Sequence, residues 1–373
     1  MLQQVNIIRE NSSLTRFSSN QDRVSGILFS DKDGVPSELS DLGMTTINGI
    51  AVVRLGSAQF FEQKQSVLTG VTSRKASFAA IAFFNANPSG VLWLGIKLSQ
   101  TAFTAADVVA FQTATGGEMR QTGIDGGDKT LIAAIVTMEA NKQPCLVIGN
   151  ATVASAVLKT QVSPSSEGYA HFVGTDAAGG PSAAEQGAKA FGEFLGNISK
   201  AQVHESTGWV SRFPSQVAIP GFCDGTALVG KVAADLEAIS AAGYIFFCTY
   251  PGLAGVYYSG SNCTKPDTTI EAYRTMNKAC RGIYASLVPE LGRPLYVDPV
   301  TGKLSEDTCA YLEMTAQQTL DDMEKAGELS GWAVEIDREQ NVLVTSTVEI
   351  AIKQVPVGVM RTVNVRISFV TNV

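Results

Sequence analysis

The chain has 373 residues, of which 45% are hydrophobic and only 17% charged, with a formal net charge of −7. That length can hold a full core and suggests two domains or one elaborated one, and a charge fraction below the usual ~25% favours extensive subunit contact. The acidic balance and the lack of any five-residue basic cluster argue against a nucleic-acid binder. Residues 1–10 carry no basic-then-apolar signal pattern and no apolar run reaches ~18 residues, so a soluble protein made in the cytoplasm is expected.

In chain order, Val5, Ile7 and Ile8 and the polar Ser/Asn-rich stretch 11–22 read as a flexible arm. Residues 24–30 and 49–55 are strand candidates, separated by a loop rich in Gly, Pro, Ser and Asp. A helix over 73–85 is stopped by Asn87-Pro88-Ser89-Gly90, and an apolar strand follows over 91–97. Helices over 104–113, opened by a Thr cap, and over 131–141 lead to a buried strand over 145–148. Helix, tight turn and short apolar strand in repetition make an α/β pattern.

Gly and Ser become frequent over 163–181, a soft domain boundary. Helices are predicted over 182–195 and 227–242, a strand over 244–249 and a hairpin-like segment over 251–258. Behind Thr268 and Thr269, Ile270, Tyr273, Cys280, Ile283, Tyr284 and Leu287 recur at helical spacing, so a helix over 267–287 is expected to turn that face inward. After a short strand over 293–297, Ser305 caps a helix stopped by Gly327. Cys309, Leu312, Ala316, Leu320 and Met323 form its inner stripe, and Asp321, Asp322 and Glu324 lie on an acidic outer face.

The last stretch alternates. Val342, Val344, Val348, Ile350 and Ile352 oppose Thr345, Thr347, Glu349 and Lys353. Beyond Pro356 and Gly358, the residues Val359, Val363, Val365, Ile367 and Phe369 oppose Thr362, Asn364, Arg366 and Ser368. Period two predicts two half-buried strands joined at a Pro/Gly break. A terminal strand either completes its own sheet or is donated to a neighbour's open edge. That choice separates a monomer from a polymer subunit.

No catalytic, cofactor or metal constellation emerges. His171 and His204, each in an expected strand, lack partners at metal-ligand spacing, and there is no HExxH. The six cysteines form no CxxC pair and read as buried free thiols. No G-x-S-x-G elbow anchors a Ser-His-Asp triad. Residues 225–231 match G-x-x-x-x-G-K, but Val232 stands where Ser or Thr would hold Mg²⁺, and 226–232 already carry helical periodicity.

Several segments carry a resemblance: Gly255-Val256-Tyr257-Tyr258; Tyr273-Arg274-Thr275-Met276-Asn277-Lys278-Ala279; residues 294–302 (PLYVDPVTG); the acidic helix; Val355-Pro356-Val357-Gly358; and the final alternating strand. Their order over about 220–373 resembles the tail-sheath proteins of contractile phages and related injection systems, most nearly the small sheath family of Mu-like phages and Bacteroidetes-type systems. The resemblance implies an α/β fold, with a mixed-sheet sheath core and an additional α/β domain. The expected divisions are an arm (1–22), an N-terminal α/β region (23–180), a core (181–354) and a donated strand (355–373).

It further implies a helical polymer of stacked rings around an inner tube, whose arms and C-terminal strands pair with neighbouring subunits while the lattice contracts. Strand exchange would involve Val5, Ile7, Val363, Val365, Ile367 and Phe369, the hinge Pro356 and Gly358, and the inner-tube contact Asp321, Asp322 and Glu324. The implied partners are further copies of the chain, the inner tube protein, and baseplate and terminator proteins. No cofactor, nucleic acid or membrane insertion is implied, and assembly would take place in the bacterial cytoplasm, into a phage tail or phage-like contractile particle. Two other readings stay open: an α/β enzyme or small-ligand-binding protein with a dispersed site, and a tube or baseplate part of the same machine.

Overall fold

The computed structural model describes residues 22–99, 102–154, 156–298 and 302–365. The expected exchange residues Val5, Ile7, Ile367 and Phe369 lie outside these ranges. The chain divides into two compact units, Met1–Leu291 and Gly292–Val373.

The first unit begins with β1 (Val24–Ser30), β2 (Thr45–Ile47), β3 (Ile50–Leu55), α1 (Gln59–Lys64), α2 (Val71–Ala86) and β4 (Val91–Lys97). It continues with α3 (Ala105–Ala114), β5 (Gln121–Ile124), α4 (Ile132–Ala140), β6 (Leu146–Gly149), β7 (Tyr169–Phe172), β8 (Gly174–Asp176) and α5 (Ala183–Lys200). Then come β9 (Pro220–Phe222), α6 (Ala233–Ala241), β10 (Tyr244–Ile245), β11 (Phe247–Tyr250), β12 (Leu253–Tyr258) and α7 (Ile270–Leu287).

An eight-stranded sheet in the order β10-β7-β6-β5-β1-β4-β3-β2 organises this unit. From β10 to β4 the neighbours run parallel, and β3 and β2 add an antiparallel edge. The parallel strands are apolar and buried almost throughout, as strands covered by helices on both faces must be. Glycines make flat spots for rings on each face. A Cβ at Gly26 or Gly95 would collide with Phe111 of α3, and one at Gly123 with Phe191 and Leu195 of α5. Gly123 pairs with Ile27, whose side chain points opposite to that of Gly26, so α3 and α5 cover opposite faces.

Local chemistry sets several helix starts. Thr104 and Asp107 close a capping box at α3, and Ser182 and Glu185 close another at α5. Gly70 precedes α2 without a side-chain cap of its own. Glu38, from the loop after β1, supplies one in trans, accepting from the Thr69 and Gly70 amides at 2.7 and 3.0 Å and from the Thr69 hydroxyl at 2.7 Å. The Ser73 hydroxyl alongside, poorly aligned for a full hydrogen bond, followed by the Thr69 hydroxyl and the amides, draws the Glu38 pKa down to about 2. A depressed carboxylate pKa contributes stability that is complete above the unfolded value, near 4.5, and is lost as pH falls towards 2. Glu38→Gln should therefore cost about 0.5–1 kcal/mol at neutral pH, a figure kept small by solvent screening. The difference from the parent should shrink between pH 4.5 and 2 when both are unfolded in urea across that range.

The structure departs from the sequence reading at several places. The boundary expected near residue 180 falls inside the first unit, where α5 packs along α2 and under β1 and β5. Asp22, assigned to the arm, is buried against α7. The helix expected over 227–242 starts only at Ala233, because residues 221–227 form a tight bridge and Gly225 and Gly230 have positive φ. His204 lies in a turn beyond α5 rather than in a strand, and residues 293–297 make only the isolated bridge Val297–Leu304.

A further departure is α7, which buries Arg274, Thr275 and Asn277 while Cys280 and Tyr284 are exposed. Main-chain carbonyls of Ala201 and Asp22 compensate the buried Arg274, and the Asp22 carboxylate pairs with Lys278 and Arg281, which hydrophobic spacing cannot register.

The second unit is smaller. It contains α8 (Glu306–Lys325), β13 (Leu329–Ile336) and β14 (Ile350–Pro356), the strands joined through a helical turn, Val342–Thr345. Ser305 caps α8 by accepting from the Thr308 amide, and Gly327 follows its end at positive φ. Cys309, Leu312, Ala316, Leu320 and Met323 are all buried, as the sequence pattern predicts.

Candidate functional site

The candidate site of the second unit is its C-terminal ribbon. β13 and β14 pair antiparallel, with Trp332 opposite Gln354, Val334 opposite Ile352 and Ile336 opposite Ile350. These residues form the better-covered face, on the side where Ile336, Ile350 and Val348 join Leu304, Cys309 and Leu312 in a small core. Ala333, Glu335, Ala351 and Lys353 lie on the solvent face. Among the described residues each strand has one strand partner only, so the outer side of each is open to a further strand, apart from the Ile336 amide, which donates to Glu313. Packing on α8 steadies a two-stranded ribbon that alone would be marginal in water.

The first of the two expected terminal strands needs correction. Val342–Thr345 is a helical turn closed by Ser346 at φ 53°, and the strand begins only at Ile350. Val342 packs on the small core while Val344 is exposed, so their shared spacing is not a shared strand face. The sequence reading missed the true partner, β13, although Trp332, Val334 and Ile336 alternate with Ala333 and Glu335.

β14 ends at Pro356. From residue 357 to 365 the chain has no regular structure, contrary to the second expected strand over its described part. Its apolar groups face water: Met360 is 82% exposed, Val363 64% and Val365 72%. Gly358 falls in this stretch, directly beyond Pro356.

On α8, Asp321 is half-buried and Asp322 and Glu324 are exposed. Lys325 approaches Asp321 at 3.9 Å, an exposed contact of little energetic weight. Glu306 pairs with Arg338 and Glu313 accepts from the Ile336 amide, so those two acids serve the unit's own fold.

In doubly wound sheets ligands bind where the strand order reverses, outside the carboxyl ends of the strands. Here that position, beyond β1 and β5, holds Lys75 paired with Asp125. Asn150 donates to Asp125 at 3.3 Å and accepts from the Gly126 amide at 2.6 Å, while Lys75 also lies over the Phe29 ring. These groups satisfy one another. His171 is buried between the Tyr169 hydroxyl and the Ala151 carbonyl, and burial lowers its pKa.

In the loop over 225–231, the Thr226 amide is turned to Asp224 and Lys231 lies over the Phe222 ring, so the loop forms no phosphate cradle. No group of three metal-ligating side chains occurs among the described residues. The six cysteines are free thiols, with Cys280 exposed and Cys223 half-buried against the expectation that all are buried. No described helix is long and apolar enough to cross a membrane.

Comparison with solved structures decides the fold. Over 99% of this chain and 99% of the other, it superposes on the contracted helical sheath of the anti-feeding prophage, with a TM-score of 0.63 at 15% identity. The chain has a contractile-sheath fold. A chain of the anti-feeding prophage baseplate matches with a TM-score of 0.62 at 15% identity, again over 99% of both chains. The contracted PVC sheath complex of an extracellular contractile injection system gives 0.64 at 10% identity, over 99% of this chain and 96% of the other. Residues 268–373 match the family described as DUF2586, C-terminal domain. That match starts just ahead of α7, so it takes in the last helix of the first unit with the whole of the second. No curated protein matches the sequence.

Proposed function

We propose that the chain is a structural, non-enzymatic subunit of a contractile tail sheath. Copies polymerise helically around an inner tube, exchange β-strands with their neighbours, and contract to drive the tube through a target envelope. The observation that carries this reading is the C-terminal ribbon, two strands with open outer sides followed by an exposed apolar stretch. The open side of β13 or β14 is the acceptor. The donor is the segment 361–370 of a second copy, with Val363, Val365, Ile367 and Phe369 laid on the same side as Trp332, Val334 and Ile352, and Pro356 and Gly358 as the hinge. Residues 1–21, with Val5 and Ile7, are the second donor. The inner tube protein, baseplate and terminator proteins complete the particle, which assembles in the bacterial cytoplasm.

Electron microscopy of the protein co-expressed with its neighbouring tube and baseplate proteins tests this reading. Hollow, ridged cylinders with a longer and a shorter, wider state are expected; dispersed monomers beside the correct tube and baseplate would refute it.

The acidic end of α8 is the proposed tube contact. Replacing Asp321, Asp322 and Glu324 together by Lys should abolish co-sedimentation with tube protein while leaving the helical circular dichroism unchanged. Cations suit the last turn of a helix, so the substitutions oppose docking without opposing the fold. Undiminished co-sedimentation would remove the acids from the contact.

A further inference from the structure

A cluster of buried charge in the first unit surrounds Asp22. The carboxylate meets Lys278 at 2.9 Å through one oxygen and Arg281 at 2.9 Å through the other. Its main-chain carbonyl accepts from Arg274 at 3.2 Å, and Arg274 also donates to the carbonyls of Ala201 and Gln202, just past the end of α5. The next carbonyl, of Arg23, accepts from the Ser199 hydroxyl at 2.6 Å. Arg274, Lys278 and Arg281 stand four and three residues apart, which makes one stripe of α7. Burial, with Arg120 and Arg274 nearby, lowers Arg281 to about 9 against the opposing pull of Asp22.

Such a cluster is a costly way to gain stability, since apolar residues of similar volume commonly stabilise as much or more. What it does provide is directional restraint on two consecutive residues. Those residues are the root of segment 1–21, and the helix that grips them runs on in sequence to the second unit at Gly292. We propose that Asp22 and the Arg274–Lys278–Arg281 stripe form the tension anchor of the N-terminal arm, passing the pull of a neighbouring subunit into α7. This rests on the strand-exchange reading. A pull on the arm then loads ion pairs and hydrogen bonds at residues 22 and 23 before it reaches the β1 ladder.

The test compares Asp22→Asn with Asp176→Asn, which breaks the pair of another buried carboxylate with Lys189 away from the arm root. Two readouts are taken: tryptic cleavage after Arg23 in the isolated protein, and the continuity of sheaths, assembled on tube and baseplate, after contraction is triggered. Asp22→Asn should be cleaved after Arg23 about tenfold faster than the parent through local opening, and its contracted sheaths should break into rings and short pieces. Asp176→Asn should do neither, however much its melting temperature falls. Should Asp22→Asn not fold, Lys278→Met removes one of the two pairs and is read in the same way. Cleavage that follows global unfolding equally in both variants, or sheaths of Asp22→Asn that contract intact, would overturn the anchor. If the parent itself builds no sheath, the strand-exchange reading falls, while the cleavage comparison still decides whether Asp22 holds the root.

Discussion

A chain cut after Met360 should fold like the full protein and build no sheath. Removing residues 361–373 deletes nothing that the folded subunit buries over its described part, since Val363 and Val365 are largely exposed. The change in unfolding free energy should therefore stay within about 0.5 kcal/mol. Assembly is another matter. Backbone hydrogen bonds of a donated strand bring about 0.5–1.5 kcal/mol each, while ordering each residue costs about 1–2 kcal/mol. Pairing alone thus gives no surplus. Burying Val363, Val365, Ile367 and Phe369 contributes on the order of 1.5–3 kcal/mol apiece, and the truncation removes all four. Thermal unfolding and electron microscopy of the truncated chain beside tube and baseplate check the two halves of this prediction. Ordered sheaths from the truncated chain would show that the strand is not the link.

The largest effect on folding is expected at Gly192. α5 crosses α2 so closely there that a Cβ on Gly192 would stand 2.2 Å from the Ala79 carbonyl oxygen and 2.6 Å from its Cα. One turn on, a Cβ at Gly196 would come 2.6 Å from the Phe83 carbonyl oxygen. Backbone is in the way, and no side-chain rotation relieves it. In an open helix Gly→Ala would gain roughly 0.8–1 kcal/mol of propensity. Here overpacking, typically ~1–3 kcal/mol and more against rigid backbone, outweighs it. Gly192→Ala should lower the urea midpoint by the equivalent of about 1–3 kcal/mol at unchanged slope, and Gly192→Val by more. An alanine variant as stable as the parent would mean that the two helices can part without cost.

Much of this was legible in the residues. The apolar run at 24–30, the Thr104 and Ser305 caps and the inner stripe of α8 each depend on neighbours within a few positions, and local spacing reports them faithfully. What failed depends on distant partners. Alternation from Val342 to Ile352 looked like one strand because period two does not register the left-handed Ser346, which separates a helical turn from β14. The apolar stripe of α7 was read as its inner face, although the helix also buries Arg274, which is held by the Asp22 carbonyl some 250 positions earlier. The glycine- and serine-rich stretch before α5 was read as a soft domain boundary, yet α5 returns to pack on α2 inside the same unit. In the C-terminal ribbon the apolar alternation of the proposed donor was readable, whereas the proposed acceptor edges required the pairing of β13 with β14.

The most direct test of strand exchange is a disulfide between subunits. On a donated strand Asn364 points away from Val363 and Val365, to the solvent face that carries Ala351 and Lys353 on β14 and Ala333 on β13. In a Cys280→Ser background, Asn364→Cys combined in turn with Ala351→Cys, Lys353→Cys and Ala333→Cys should give, for at least one pair, a ladder of covalent multimers on oxidation of assembled sheaths. Dispersed protein should give none. Assembled sheaths in which every pair yields only monomers would contradict the exchange of the C-terminal strand.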